Sequence, residues 1–326
     1  MPVSNALMTQ HIAITGANGF VGKALSRVLL ERGDVVTGIV RHPQSTYSGV
    51  REWVFGADDF DGIEDAWPST LRCDVVVHLA ARVHVMNEAV SEPLAAYRAT
   101  NVTGSLRVAR AARRAGVRRL VFVSSIKAVA ESSQDHPVTE TDRPMPTDPY
   151  GISKLEAERA LLEFGAQSGM EIVIVRPPLV YGPGVRANFL QLMRAIAKGV
   201  PLPLGAVTAR RSMVFVDNLA DALVHCIVAP GAAGQTFHVT DGQDLTVAEL
   251  VEALARQLHV PTRLIPVPVP LLRLAGRLTG RSAAVDRLVG DLRVDSAHIR
   301  EVLGWSAPYT VEQGLLETAS WYDSTR

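Results

Sequence analysis

Tyr150 and Lys154 are the first residues whose types and spacing could do chemistry. Four positions apart on a helix, they would lie on one face. A free phenol titrates near pH 10, but an adjacent ammonium can lower the phenol pKa by about 1 to 3. The pair can then give and take a proton at neutral pH. Ser125 ends the apolar run Val121–Ser125 and could hydrogen-bond a substrate oxygen whose charge changes.

Three glycines, Gly16, Gly19 and Gly22, follow the apolar run His11–Thr15 and precede a helical pattern. The first permits a tight turn, the second lets backbone N–H groups approach a pyrophosphate, and the third lets the helix lie close to the strand. The positive end of the helix then faces the anion. Between a strand and a helix, this spacing predicts a dinucleotide-binding loop.

The residues after the second apolar run bear on the choice of dinucleotide. An acidic residue there binds the 2′-hydroxyl of NAD, whereas an arginine suits the 2′-phosphate of NADP. The sequence has Arg41 and neither Asp nor Glu at that point, which favours NADP over NAD, although exposed arginines at strand ends are common. Asp58 is either an acceptor for the adenine amine or a solvated loop carboxylate.

Short apolar runs alternate with helical patterns in the first half of the chain. The runs are almost wholly apolar, as in strands covered on both faces. They are His11–Thr15, Val35–Val40, Asp74–Leu79, Leu120–Ser124 and Ile172–Val175, with helical patterns at Val21–Glu31, Pro93–Ala115 and Pro149–Phe164. This order predicts the α/β class with a doubly wound parallel sheet.

The composition of the sequence changes after Arg176. Proline and glycine become frequent there, and longer loops connect the helical patterns. We therefore predict a nucleotide-binding domain over residues 1–176 and a smaller C-terminal substrate-binding lobe over 177–326, with some chain returning to the main sheet. Helices of the lobe are expected at Asn188–Lys198, Asn218–Val228, Val247–Leu258 and Pro270–Leu278.

Composition excludes several classes of protein. Lys and Arg total 33, as do Asp and Glu, which argues against a nucleic-acid binder or a polybasic membrane anchor. Two cysteines, and histidines without ligand spacing, predict neither a disulfide scaffold nor a metal site. No run approaches the ~18 apolar residues of a membrane span, and the first ten residues lack signal-peptide features. We expect a soluble, cytoplasmic protein without membrane insertion.

Several motifs in order resemble those of the extended short-chain dehydrogenases/reductases, in the branch of nucleotide-sugar epimerases, dehydratases and ketoreductases. The resemblance covers nearly the whole chain and implies a Rossmann-type sheet with a smaller substrate lobe. The motifs are Thr15-Gly-Ala-Asn-Gly-Phe-Val-Gly22, His78-Leu-Ala-Ala81, Asn101-Val-Thr-Gly104, Ser124-Ser125, Tyr150-Gly-Ile-Ser-Lys154, Arg176-Pro-Pro-Leu-Val-Tyr-Gly182, Val216-Asp-Asn-Leu-Ala-Asp221 and Leu303-Gly-Trp305.

The resemblance implies roles for individual residues. Tyr150 would be the catalytic acid and base, Ser125 its hydrogen-bonding helper, and Asn101 a structural residue behind Lys154. Lys154 would also hold the nicotinamide ribose. The remaining cofactor contacts would come from Gly16, Asn18, Gly19, Phe20, Val21, Gly22, Leu79, Ala80 and Ala81.

On the substrate side, the resemblance implies contacts to the diphosphate of a UDP-sugar. Asn188 and Arg211 fall at the corresponding positions, and an amide and a guanidinium suit that anion. Arg287 or Arg293 would supply a second cation, although either could equally be a surface charge. The resemblance also implies a homodimer, packed through the helices that include 93–115 and 149–164.

Departures from the family's sequence patterns reduce the number of reactions that this chain could catalyse. Dehydratases of the family follow the catalytic hydroxyl with an Asp-Glu pair, which is Ile126-Lys127 here, and a frequent asparagine is replaced by Leu179. Dehydration is therefore not expected. We predict redox chemistry at C4 of a UDP-hexose for polysaccharide precursor synthesis, leaving the sugar and its N-acetylation or 6-deoxygenation open. A 4-epimerase would hold NAD tightly, whereas a 4-ketoreductase would consume NADPH, as Arg41 favours.

Two functions of other classes compete with this prediction. A reductase of hydrophobic ketones, like the steroid and flavonoid relatives, would lack diphosphate contacts, against which Asn188 and Arg211 argue. A non-catalytic NAD(P)-sensing protein would lose the tyrosine or the lysine, and both Tyr150 and Lys154 are present.

Overall fold

The computed structural model describes residues 9–43, 45–83, 92–280 and 282–325. The strands are β1 (His11–Thr15), β2 (Val35–Val40), β3 (Arg51–Val54), β4 (Val75–His78), β5 (Arg119–Val123), β6 (Glu171–Arg176), β7 (Leu179–Tyr181), β8 (Arg210–Arg211), β9 (Met213–Phe215), β10 (Thr236–His238) and β11 (Leu245–Thr246). The helices are α1 (Phe20–Glu31), α2 (Ile63–Ala66), α3 (Pro93–Arg98), α4 (Ser105–Arg114), α5 (Pro149–Ser168), α6 (Ala187–Ala197), α7 (Val216–Val228), α8 (Val247–Gln257), α9 (Val269–Leu278), α10 (Ser282–Val289), α11 (Ala297–Leu303) and α12 (Val311–Ser324).

The main sheet has seven strands in the order β10-β6-β5-β4-β1-β2-β3. The pairings from β6 to β3 are all parallel. The chain runs outward from β1 to β3 on one side and from β4 to β6 on the other, so the order reverses between β1 and β4. A crevice opens at the carboxyl ends of strands at such a reversal, here beside the paired residues Thr15 and His78. The predicted doubly wound, Rossmann-type sheet is confirmed.

Contacts divide the chain into two compact units, each discontinuous in sequence. Unit 1 comprises Met1–Ser124, Asp148–Val175 and Leu223–Thr236, and unit 2 comprises Ser125–Thr147, Arg176–Ala222 and Phe237–Arg326. The prediction placed one boundary, at 176/177. Buried Arg119 gives a physical reason why 223–236 belongs to unit 1, because its Nη1 donates to the carbonyls of Cys226, Ile227 and Ala229, each at 2.8 Å.

Unit 1 is organised around strands whose two faces are both covered. Ile12, Ala13 and Ile14 of β1 are fully buried, as are the valines Val75–Val77 of β4. The long helix expected over Pro93–Ala115 consists of α3, a π-helical turn at Ala99–Gly104, and α4. A π turn in a helix often marks a functional position, and this one carries Asn101.

Unit 2 contains two small sheets, β7 with β9 in parallel and β8 with β11 antiparallel. A hydrogen-bond network centred on Asp241 connects elements of unit 2. This carboxylate accepts hydrogen bonds from the Tyr181 hydroxyl (2.8 Å), the Phe215 N–H (2.8 Å) and the Asn218 amide (2.7 Å). Burial raises the pKa of Asp241, and these donors act in the opposite direction.

Candidate active site

The loop between β1 and α1 turns at Gly16, where φ is +70°. Gly16 N–H donates to the Ile39 carbonyl at 3.2 Å, and Gly19 N–H donates to the Gly16 carbonyl at 2.9 Å. A Cβ on Gly16 would lie 3.0 Å from the backbone nitrogen of Ala80. Both the left-handed conformation and the neighbouring backbone therefore require glycine here.

The start of α1 lies against this loop at Gly22. A Cβ on Gly22 would lie 2.3 Å from the Gly16 carbonyl oxygen and 2.8 Å from backbone atoms of Ala17. No side chain fits at those distances, so Gly22 allows the helix N-terminus to begin directly against the turn. This cradle of backbone suits the pyrophosphate of a dinucleotide.

A cavity of about 390 Å³ opens beside the cradle. Among the predicted cofactor residues, Phe20, Val21 and Gly22 form the first turn of α1 and do not line it, and neither do Tyr150 and Lys154. The predicted residues that do line it are Gly16, Asn18, Gly19, Arg41, Asp58, Leu79, Ala80 and Ala81. The structure thus brings most of the predicted cofactor set around one cavity.

Arg41 and Asp58 form an ion pair at one part of this cavity. Their side chains are 63% and 74% exposed, so water screens the interaction. The sequence suggested a 2′-phosphate as the partner of Arg41, and either the adenine amine or solvent as the partner of Asp58. The structure instead places the Asp58 carboxylate on the Arg41 guanidinium.

His78 joins β1, β4 and α4. Its ring is fully buried, with Nδ1 2.7 Å from the Thr15 hydroxyl and Nε2 2.9 Å from the Ser105 hydroxyl. Ser105 donates its proton to the Asn101 carbonyl (2.6 Å) and must accept from His78. His78 therefore carries its proton on Nε2, and Thr15 donates to Nδ1.

Burial, assisted by the charge of Lys154, lowers the pKa of His78 to about 3. The imidazole therefore stays neutral at physiological pH. Thr15 Oγ1 also accepts from the Ala80 N–H at 3.2 Å, so the His78 hydrogen bonds hold the segment after β4 against the glycine turn. Sequence reasoning placed His78 in a cofactor-lining motif but missed this connecting role.

Tyr150 and Lys154 lie in the first turns of α5. The Asp148 carboxylate caps this helix by accepting from the Gly151 N–H at 2.6 Å, and Pro149 is its first residue. The Tyr150 ring lies edge-on to the Tyr97 ring with centroids 6.2 Å apart. The predicted pair therefore stands on a well-capped helix.

Lys154 is buried in unit 1. Its Nζ donates to the Val123 carbonyl at 2.8 Å and lies 4.2 Å from the centroid of the Phe122 ring. Burial lowers the pKa of Lys154 to about 7, and the buried Glu158 carboxylate one helical turn later opposes that shift. An amine with a pKa close to 7 can gain or lose a proton, and with it its positive charge, near neutral pH.

Asn101 is buried in the π turn and connects two remote segments. Its Nδ2 donates to the Ser153 hydroxyl (2.9 Å) and the Arg82 carbonyl (3.1 Å), and its Oδ1 accepts from the Arg82 N–H (2.8 Å). Ser153 in turn donates to the Tyr150 carbonyl at 2.8 Å. Asn101 thus fixes the position of α5 through Ser153.

Ser125 belongs to unit 2, at the start of a short 3₁₀ turn over Ile126–Ala128. Its half-buried hydroxyl accepts from the Lys127 N–H at 3.3 Å. Ile126 is buried in a small apolar cluster, so the two residues that replace the dehydratase acid and base supply an apolar anchor and an amine.

The predicted substrate residues all lie in unit 2. Asn188 is exposed in the first turn of α6, and Arg211 in β8 donates to the Gly290 carbonyl at 3.0 Å. Burial lowers the pKa of Arg211, Asp291 opposes this, and the charge of Arg287 adds to it. Arg211 and Arg287 are therefore within electrostatic reach of each other. Arg293 has its Nε buried, with no acceptor among the described residues.

Other chemistry finds no support in the described part of the chain. No group of three His, Cys, Asp or Glu residues there could hold a metal ion. Both cysteines are free, and burial raises the pKa of each thiol to about 12. Among residues 9–43, 45–83, 92–280 and 282–325, no helix is both long enough and apolar enough to cross a bilayer.

Comparison with known proteins identifies the relatives of this chain. Residues 12–240 match the model of the NAD dependent epimerase/dehydratase family. The chain is 44% identical over 315 residues to a UDP-glucose 4-epimerase from Vibrio cholerae, covering 96% of this chain and 95% of the relative.

Two solved structures are similar along almost their whole length. MoeE5 in complex with UDP-glucuronic acid and NAD is 26% identical, with a TM-score of 0.77 and coverage of 97% of this chain and 100% of that one. RMD from Pseudomonas aeruginosa, complexed with NADPH, is also 26% identical, with a TM-score of 0.75 and the same coverage. At equal identity the two hold different dinucleotides, so the overall likeness does not select one.

Proposed function

The chain belongs to the NAD dependent epimerase/dehydratase family, and from this premise we propose that it is a sugar-nucleotide 4-epimerase acting on a UDP-hexose. One observation carries the proposal. The 44% identity to a UDP-glucose 4-epimerase extends over 96% of this chain and 95% of that protein, so both units share the relationship.

The proposed chemistry is a reversible oxidation at C4. A nicotinamide dinucleotide, which the glycine turn and the residues lining the cavity would hold, would supply the hydride acceptor and donor for this oxidation and reduction. Tyr150 takes the proton of the C4 hydroxyl as the C4–H bond breaks, and returns it when the ketone is reduced on its other face. Lys154, held by the Val123 carbonyl, supplies positive charge beside the phenolate. No atom is lost between substrate and product.

The remaining roles follow the family resemblance. Ser125 hydrogen-bonds the reacting oxygen, and Asn101 positions α5, as its bond to Ser153 supports. Arg211, Arg287 and Asn188 bind the diphosphate of the substrate. The effect of the Arg287 charge on the pKa of half-buried Arg211 supports this assignment, because two cations that repel each other favour a shared anion.

A 4-ketoreductase that uses NADPH is the second candidate, and Arg41 favours it. This arginine lines the cofactor cavity at the end of β2, where a 2′-phosphate would be read. A 2′-phosphate would compete with Asp58 for the Arg41 guanidinium, so NADP binding requires this ion pair to open. On this ground we propose NADP as the dinucleotide of this second candidate, whereas the epimerase would hold NAD.

Product analysis separates the two candidates. Purified protein is incubated with UDP-glucose, UDP-N-acetylglucosamine or a UDP-4-keto-6-deoxy sugar, with and without NADPH, and products are resolved by chromatography. Interconversion of C4 epimers without added reductant supports the epimerase. Loss of one NADPH per keto sugar consumed supports the reductase. If neither reaction occurs with any of these sugars, the result contradicts the proposed function.

We also propose that two copies of the chain associate through the helices that include 93–115 and 149–164, which comprise α3, the π turn, α4 and α5. Leu162, an exposed leucine on α5, is available to such a contact. Light scattering of the purified protein measures the mass in solution, and a monomer at micromolar concentration contradicts this arrangement.

A further inference from the structure

Helices α9 and α10 of unit 2 pack against each other as a pair with an inner and an outer face. The two helices meet at Gly276, where a Cβ would lie 2.8 Å from a methyl group of Val285. Leu272 of α9 and Val289 of α10 pack on an apolar cluster formed by Leu204, Val207, Ala209 and Val247. The inner face is therefore anchored to unit 2.

The outer face of α9 carries a stripe of leucines in water. Leu271, Leu274 and Leu278 occur at i, i+3 and i+7, the spacing of one helix face. They are 55%, 52% and 79% exposed. Isolated exposed leucines are ordinary, but three in a row along one helix form a patch of the kind that marks an interaction surface.

Positive charge flanks this leucine stripe. Arg273 and Arg277, four positions apart, lie next to the stripe on the exposed surface of α9. Arg273 is 3.5 Å from Asp286 of α10. Between positions 261 and 290 the only acidic residue is Asp286, whereas the arginines are Arg263, Arg273, Arg277, Arg281 and Arg287. In a chain whose overall charge is zero, this segment therefore has an excess of positive charge, and Arg273 and Arg277 place part of it beside the exposed leucines.

The combination of leucines and arginines indicates which partner the outer face of α9 fits, a second copy of the chain or a lipid surface. A second copy packed stripe to stripe with its α9 antiparallel, by a two-fold axis across the helices, would place the arginines of one stripe near those of the other, which is unfavourable. An anionic lipid surface satisfies both features, because the leucines enter the boundary of the acyl chains while the guanidinium groups meet lipid phosphates. Helices that lie in the plane of a membrane surface have this division of residues.

We propose that the α9 leucine stripe docks the protein, peripherally and reversibly, on membrane surfaces that carry anionic phospholipids. This inference rests on unit 2 alone and does not depend on the proposed reaction. It places the protein at a lipid surface through side chains of α9.

Vesicle sedimentation tests the proposal with the full chain. Vesicles of phosphatidylcholine alone and of phosphatidylcholine with phosphatidylglycerol are mixed with purified protein and centrifuged. We expect binding to the phosphatidylglycerol vesicles, and a reduction of about tenfold or more in apparent affinity for Leu274→Glu/Leu278→Glu. The matched control is Val302→Glu/Leu316→Glu, which changes two exposed apolar residues on α11 and α12 and should bind like the native chain.

A charge variant makes the test independent of the leucine pair. Arg277→Glu should weaken binding to the anionic vesicles severalfold and leave thermal unfolding unchanged. Absence of native binding to phosphatidylglycerol vesicles overturns the proposal, as does equal binding by the leucine variant and its control. A fall in solution mass of the leucine variant, measured by light scattering, also overturns it, because the stripe would then be an interface between copies.

Discussion

Unit 1 has two parts that are built in opposite ways: an inner part, made of the buried His78 and Lys154 with the glycine turn at 16–22, and an outer part, made of Arg41 and Asp58 in the lining of the cavity. At the inner part, His78 and Lys154 are buried and each is held by hydrogen bonds to neighbouring elements. At the outer part, Arg41 and Asp58 are exposed side chains that hold only a screened ion pair. Several contacts together fix the positions of the side chains in the inner part. In the outer part, one screened ion pair holds the two side chains, so they can change conformation easily.

This difference separates the chemistry from the choice of cofactor. Groups that must meet a reacting atom need fixed positions, and buried, fully bonded side chains provide them. Groups that read the 2′ position of a ribose can remain adjustable, since a surface ion pair contributes only about 0–1 kcal/mol. Substitutions in the two regions should therefore differ in the size and the kind of their effects.

The largest effect is expected at the reacting phenol. Tyr150→Phe should lower kcat by about 10³-fold, because the proton transfer is lost, while dinucleotide affinity stays within about threefold. Tyr97→Phe is the matched control, since it removes the hydroxyl of the adjoining ring and should keep most activity. Steady-state kinetics and dinucleotide titration measure both. Turnover of Tyr150→Phe within about tenfold of native would remove the catalytic assignment.

Gly22→Ala tests how tightly the inner part is packed. A methyl 2.3 Å from the Gly16 carbonyl oxygen must displace backbone, so the free energy of unfolding should fall by about 1–3 kcal/mol. Dinucleotide affinity should fall with it. Gly56→Ala places a methyl in open space and should change stability little. Equal unfolding midpoints for the two variants in urea would show that the cradle is looser than described.

Lys154→Met tests the cost of the buried amine. The pKa of Lys154 is lowered to about 7 in the folded chain, against about 10.4 for an unperturbed lysine. Between these values the unfolded chain binds more protons, so native stability rises with pH across that window. The stability of Lys154→Met relative to the native chain should therefore be highest near pH 7 and below, and should decline toward about pH 10.

The measurement for Lys154→Met is urea unfolding of both proteins at about pH 6.5, 8 and 9.5. The test is how the difference in free energy of unfolding between the two proteins changes with pH. The size of that difference at any one pH also includes the hydrogen bond to Val123, which the variant loses. A difference that is constant with pH would mean that Lys154 keeps an ordinary pKa in the folded chain.

The smallest effects are expected at the outer part. Arg41→Ala should weaken NADPH binding about tenfold, leave NADH binding unchanged and change stability by less than about 1 kcal/mol. Asp58→Asn should strengthen NADPH binding, because it frees the guanidinium. Arg72→Ala, at another exposed arginine, is the control. Equal losses for both dinucleotides in Arg41→Ala would show that this residue does not read the 2′-phosphate.

Local signals were enough to predict much of the main sheet. The bounds of β1 and β2 match the predicted runs, because a short β-branched run followed by glycine or by a charged turn carries its own boundaries. The helix predicted over Pro149–Phe164 runs over Pro149–Ser168, and its start was predictable because proline favours the first turn of a helix. The strands β8 and β11 have two residues each and β7 and β9 have three, which is too short for any periodicity to indicate them.

Contacts between remote residues account for the rest. The partners of His78 lie 63 and 27 positions away, so its connecting role depends on the fold. The π turn at Asn101 interrupts a sequence with continuous helical periodicity, and the side chain bonds there to Arg82 and Ser153. The candidate catalytic and cofactor residues were predictable by type and motif, but the Arg41–Asp58 pairing and the burial of Lys154 were not.

Isotope retention tests the central claim most directly. UDP-glucose carrying deuterium at C4 is incubated with the protein, its bound dinucleotide and ordinary water, and the C4 epimer is isolated. The account predicts that the product keeps deuterium at C4, because the atom leaves and returns as one hydride while Tyr150 handles the hydroxyl proton. Product that has exchanged this deuterium for solvent hydrogen would contradict it.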